Sequence, residues 1–270
     1  ENNNKLNMKF LKSFLVIVLF LAFNIVIDAL TGVFIPGLIA VLKTGDFLKS
    51  ANYMVYGLLA GQLVKLTILA IYMDKRDKTF YRNFTQRYIK NEKLENPIRF
   101  VGIGLGTVGF GLLLTNIIMK AMAGTELLTS ALKLMENAFN ANTNLDSLVL
   151  ILTVAVGAPI VEELLFRGVL FEELNRYVSV KTTIFLTALI FGLYHFNILQ
   201  SPNTLVMGLV MAWTYYKTRS IKASIIIHAT NNILALIPII DQGLSPIGLG
   251  IYIIFMVIGI YSLNTLRQNA

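Results

Sequence analysis

The sequence predicts an all-α fold, a polytopic transmembrane helical bundle of about eight spans with a polar cavity inside the membrane. Three observations carry this expectation. Of the 270 residues, 56% are hydrophobic and 14% charged, where a soluble domain shows about a quarter charged. Apolar runs near the ~20 residues that a helix needs to cross a bilayer recur at 13–41, 52–73, 100–121, 147–171, 182–199, 203–216, 222–240 and 246–266. The net charge of +8 comes mostly from basic residues between these runs, which reads as a topology signal and not as a nucleic-acid footprint. The absence of cysteine excludes disulfides and a cysteine nucleophile.

The first run follows Lys5, Lys9 and Lys12 and is too long for a secretory signal core, so it is expected as the first transmembrane helix. Asp28, Gly32, Pro36 and Gly37 predict a break or a tilted portion in it. With the N-terminus cytoplasmic, the inside segments hold 17 Lys and Arg and the outside segments three. Charge bias and parity therefore agree on eight spans with both termini inside, as for a multi-pass protein of the plasma membrane. Residues 74–99 interleave Phe80, Tyr81, Phe84 and Tyr88 with bases, which predicts an interfacial segment on anionic lipid; a nucleic-acid partner is not expected. Residues 125–144, on the other side, have apolar residues at helical spacing and are expected as an amphipathic outer helix. No repeat or composition break divides the chain, so one integral membrane domain over 1–270 is expected, with its chemistry in 150–240.

That chemistry starts in the fourth run, APIVEELLFRGVLFEELNR from Ala158 to Arg176, where Glu162, Glu163 and Arg167 interrupt apolar sequence. A charged side chain costs about 2.5–3.5 kcal/mol at the centre of a span on insertion scales, so its default reading is function. On a helix, neighbours differ by about 100°, so the two carboxylates cannot face the same spot, whereas Glu163 and Arg167 share a face. This predicts a division of labour, with Arg167 neutralising Glu163 and Glu162 facing the cavity. Pro159 predicts a kink just before them.

Both histidines of the chain fall in apolar runs, His195 in FGLYHF and His228 in HATNN. Asn232 lies four residues beyond His228 on the same face, and Asn231 is rotated away. Together with Glu162 the histidines make an acid/base set. Counted from the cytoplasmic ends at 1.5 Å per residue, Glu162 and His195 both lie roughly 21 Å deep, but His228 only about 9 Å and Asn232 about 15 Å. On this count the second pair lies shallower than the first, unless that helix is tilted or starts deeper.

The ordered set Glu162-Glu163-x-x-x-Arg167, Phe191-x-x-x-His195 and His228-x-x-x-Asn232 resembles the three motifs of the CAAX-protease and bacteriocin-processing (CPBP, or Abi) family of intramembrane proteases, which includes the Ras-converting CAAX endoprotease. The surrounding EELLFRGVLFEEL and GLVMAWTYYKTRSIKASIIIHATNN are similar to it as well. The resemblance covers about 150–240. It implies an eight-span protease with a site in a cavity within the membrane, acting on a membrane-bound peptide or protein. Glu162 and His195 would activate a water, His228 and Asn232 would stabilise the oxyanion, and Glu163 and Arg167 would support Glu162.

A metal is the rival: Glu162, His195 and His228 could bind zinc and leave a position for water. The sequence has no H-E-x-x-H, and Asn232 is a poorer zinc ligand than oxyanion donor. A cofactor-free glutamate mechanism is therefore expected. The alternative from another class is a non-proteolytic membrane scaffold or bacteriocin-immunity factor that binds a partner.

Overall fold

The structure is a computed structural model that describes residues 2–75, 94 and 96–268, and every regular element among them is helical. The chain is an all-α polytopic membrane protein. Five stretches are long and apolar enough to cross a bilayer: Asn7–Thr44, Phe47–Tyr72, Ile98–Ala121, Asn144–Leu174 and Pro246–Leu266. Each of the eight predicted runs falls on a helix, but three of these helices are shorter. The fifth run, expected to continue to residue 199, stops at Tyr194, and the seventh, expected to reach 240, stops at Ala235. At 15 residues each they reach about 22 Å, short of the ~30 Å hydrocarbon core. Most of the predicted lipid-binding segment 74–99 lies outside the described residues.

Contacts group the chain into two compact units, Glu1–Tyr81 with Leu132–Thr183 and Arg82–Ala131 with Ile184–Ala270. In the first unit, α1 (Asn2–Ala29) runs through a π-helical turn, Leu30–Phe34, into α2 (Ile35–Thr44). The predicted break is thus a widened turn in a continuous helix. Pro36 opens α2 and has no N–H to donate, so the backbone just before it rearranges to five-residue bonding instead of parting. A short 3₁₀ stretch, Phe47–Tyr53, leads to α3 (Met54–Lys75).

In the second unit, α4 (Ile98–Ala121) packs along α12 (Pro246–Gln268) and against α11 (Ile221–Ala235). Glycines permit the approach. A methyl group at Gly106 would lie 2.6 Å from Cα of Gly259, backbone that cannot swing aside. In a bilayer, close packing of this kind replaces the missing hydrophobic drive for helix association. Gly106→Ala is therefore expected to lower stability by about 1–3 kcal/mol, read as a lower unfolding temperature in detergent; an unchanged midpoint would refute the tight crossing. The amphipathic helix predicted within 125–144 is α5 (Glu126–Ala138), which buries Leu128 and Ala131.

Candidate active site

The fourth span is built from short pieces. After α6 (Asn144–Ile151), whose start is capped by Thr143 and Asp146, come the π-helical turns Leu152–Gly157, then α7 (Ala158–Glu163), a second π-helical stretch Leu164–Phe171 and α8 (Glu172–Leu174). Pro159 sits at the start of α7 with a π-turn directly before it, as Pro36 does in α2. The predicted kink is realised as these widened turns, a distortion that recurs at functional sites. Asp146 also accepts a 2.6 Å hydrogen bond from Tyr56 Oη, which ties the N-terminal end of α6 to α3.

Arg167 Nη1 donates to Glu163 Oε1 at 2.8 Å, and both residues are 0% exposed. The i,i+4 spacing thus brings this pair together even though Arg167 stands in π-helical backbone. Glu162, one position earlier and rotated by about 100°, is half-buried. The two carboxylates occupy different settings: one locked against a guanidinium in the core, the other at the edge of the buried zone.

In the second unit, α9 (Val180–Tyr194) ends immediately before His195. The expectation of a histidine inside a continuous span is corrected: it stands on the turn that terminates the helix. Phe196 follows with φ of +47°. Asn197 holds this turn, its Oδ1 accepting from Leu199 N at 2.9 Å and its Nδ2 donating to Ala131 O at 3.0 Å. Because the helix stops, the Phe191 carbonyl needs a donor, and His195 Nδ1 supplies it at 2.8 Å. A carbonyl only accepts, so Nδ1 carries the hydrogen and, in the neutral ring, Nε2 is left as the acceptor. That is the tautomer a base or a metal ligand needs.

Phe191, fully buried, stands edge-on to both imidazoles, with centroid separations of 5.1 Å to His195 and 5.7 Å to His228. The depth mismatch between the two histidines that counting residues predicts is thereby removed. Counting took Lys222 as a surface marker, but Ser220 and Ile221 are each 1% exposed, so α11 begins inside the protein. Ser220 caps it, accepting from Ala223 N at 3.0 Å, after α10 (Ser201–Thr218) has ended on Arg219 at φ of +55°. His228 is buried, and Asn232 lies one turn further on and half-buried.

Sequence reasoning missed two positioning groups here. Asn231, set aside as facing away, is buried and donates to Thr107 Oγ1 at 3.1 Å, while Thr107 Oγ1 donates to Gly104 O at 2.7 Å. These bonds fix the rotation of α11 against α4. A lone threonine in a glycine-rich apolar run was the available signal. The other is Phe191, which the motif spacing included without assigning it the place between two histidines. Among the described residues, no three His, Cys, Asp or Glu side chains stand together in a group that could hold a metal ion.

Residues 144–234, about a third of the chain, match the model of a family described as Rce1-like, type II CAAX prenyl endopeptidase Rce1-like. No curated protein and no solved structure matches. The matched stretch contains every motif residue from Glu162 to Asn232. Over residues 144–234 the chain is thus similar to CAAX-type prenyl endopeptidases.

Proposed function

We propose that the protein is an intramembrane endopeptidase that hydrolyses a peptide bond of a membrane-associated peptide or protein by a cofactor-free glutamate mechanism. The observation that carries the reading is the family match over the stretch that holds all three motifs. Glu162 accepts a proton from water with His195 assisting, and the hydroxide so formed attacks the scissile carbonyl carbon. His228 and Asn232 donate hydrogen bonds to the oxygen as it becomes negative. The proton held by Glu162 passes to the amine nitrogen as the C–N bond breaks. Two local features favour these roles: the Nδ1–H tautomer of His195 leaves Nε2 as an acceptor, and the buried Glu163–Arg167 pair anchors the helix that carries Glu162. Base catalysis contributes about 10²–10⁴-fold, and donors aimed at a developing oxyanion are worth most where water is excluded. The charge bias of the loops supports a plasma-membrane orientation with both termini cytoplasmic.

The test uses purified protein in detergent with an internally quenched, farnesylated peptide ending in Cys-aliphatic-aliphatic-X, its products identified by mass spectrometry. Cleavage is expected to persist after exhaustive chelation and in metal-depleted buffer. Activity lost to chelation and restored by zinc would replace this mechanism with a metalloprotease using Glu162, His195 and His228. A folded protein that cleaves no such peptide would reject the proteolytic assignment for this substrate class.

A further inference from the structure

A groove of about 510 Å³ in the second unit takes no part in the roles assigned so far. It runs between α10 and α12, which both pack on α4. Leu209, Trp213 and Lys217 follow one another at four-residue spacing on one face of α10, and Ile260, Leu263 and Asn264 share a face of α12. Asn203, at the start of α10, stands against Gly111 late in α4, whereas α12 passes Gly106 at Gly259 and Gly102 at Ser262. Both helices thus run antiparallel to α4, and Lys217 and Asn264 come at the same end. The groove is apolar along its length and polar at that end alone.

The polar end has the composition of a membrane interface. Tyr216 precedes Lys217 and Tyr261 lies one turn before Asn264, 37% and 71% exposed. With Trp213, the chain's one tryptophan, they are the residue types that collect where hydrocarbon gives way to headgroups. From Leu209 to Lys217 the groove extends about 12 Å at helical rise, nearly half of the ~30 Å hydrocarbon core and so about one leaflet deep. Cations gather at the same end. Arg219 lies 6.0 Å over the Tyr216 ring, and Lys222 opens the next helix. Between Ile184 and Ala270 the only acidic residue is Asp241, which precedes the opposite end of α12. Lys217 is exposed and forms no ion pair among the described residues.

A ligand complementary to this groove carries an anion at the interface and an apolar chain about one leaflet long. A phosphodiester with acyl chains meets both conditions: its oxygens accept, and Lys217 and the Asn264 amide supply the donors. We propose that the groove between α10 and α12 is a binding site for an anionic glycerophospholipid. Its phosphate is held by Lys217 and Asn264, and one acyl chain lies along Leu209, Trp213, Ile260 and Leu263. The polar end belongs to the face proposed above as cytoplasmic, the side on which anionic lipids are concentrated. The site is separate from the 74–99 segment and does not depend on the proteolytic reading.

Trp213 reports on the groove unaided, because no other tryptophan fluoresces in this chain. The full chain is reconstituted in phosphatidylcholine vesicles that contain a varied fraction of phosphatidylglycerol or phosphatidylcholine with brominated acyl chains, which quench indole on contact. Brominated phosphatidylglycerol is expected to reach half-maximal quenching at a fraction about fivefold lower than brominated phosphatidylcholine, the effect of one cation at the membrane surface. Lys217→Gln, at an exposed position where packing is little affected, is expected to bring the two lipids together, and Asn264→Leu to narrow the gap between them. Lys181→Gln removes an equal charge from another exposed position and is expected to leave the preference as it is. Equal quenching by the two lipids in the parent protein overturns the proposal. A preference lowered as much by Lys181→Gln as by Lys217→Gln also overturns it, since the selectivity then belongs to the field of the whole surface. Quenching relieved by the farnesylated peptide and not by unbrominated phosphatidylglycerol gives the groove to a prenyl chain and overturns the lipid assignment.

Discussion

Glu162→Gln is expected to reduce kcat/KM by about 10³-fold, a loss of about 4 kcal/mol in transition-state stabilisation, while the unfolding temperature in detergent stays within about 2 °C of the parent. Glutamine keeps the volume of the side chain and its place at the end of α7, but its amide does not take a proton from water. The half-buried setting of Glu162 is what separates the two readouts, because little packing is lost when one oxygen becomes nitrogen. Glu162→Asp tests placement: the same acid retracted by one methylene is expected to retain more activity than glutamine and much less than glutamate, since misplacement of about 1 Å costs on the order of 10²-fold. Quenched-peptide hydrolysis under single-turnover conditions measures both. Glu162→Gln retaining more than a tenth of the parent rate would remove this residue from the chemistry.

How much of this arrangement the sequence disclosed depends on whether each feature is set locally. The helices were legible because apolar composition over about 20 residues suffices to place them. The pairing of Glu163 with Arg167 was legible as well, since four-residue spacing on one helix decides it. Pro36 and Pro159 announced interruptions, but whether a missing donor yields a kink or a π-turn is decided by what packs alongside, and α3 packs against both places. The end of α9 at His195 was not legible for the same reason: the turn is held by Asn197 reaching Ala131, 66 residues away in sequence. Depth failed at α11 because a basic residue, Lys222, marks the membrane surface only if the backbone beside it is exposed, and Ser220 and Ile221 are buried. Asp28 was legible only as part of a predicted break in the first run. Its pairing with Lys65 was not legible, because it needs two glycines on α3 and a widened turn after α1 to coincide in space.

Arg167→Met carries the largest expected cost in stability, about 3–5 kcal/mol, because it takes the guanidinium from a carboxylate that is 0% exposed. Methionine roughly matches the stem of arginine in volume, so the loss reads charge and hydrogen bonding more than a cavity. Glu163→Gln alone is expected to cost a comparable amount, now through the buried cation. Combining Glu163→Gln with Arg167→Met removes both charges and is expected to return most of the stability, because the desolvation of the two ions disappears together with their attraction. Arg167→Lys is not a rescue, since an ammonium on a shorter reach replaces a planar donor array. Denaturant or thermal unfolding of the four proteins in one detergent gives the cycle. Additive losses in the double variant would mean that the residues support the fold through separate contacts. Recovery of stability with activity still depressed would separate the two parts of their role: the pair would be dispensable for holding the span together and needed for presenting Glu162, whose helix turn it shares.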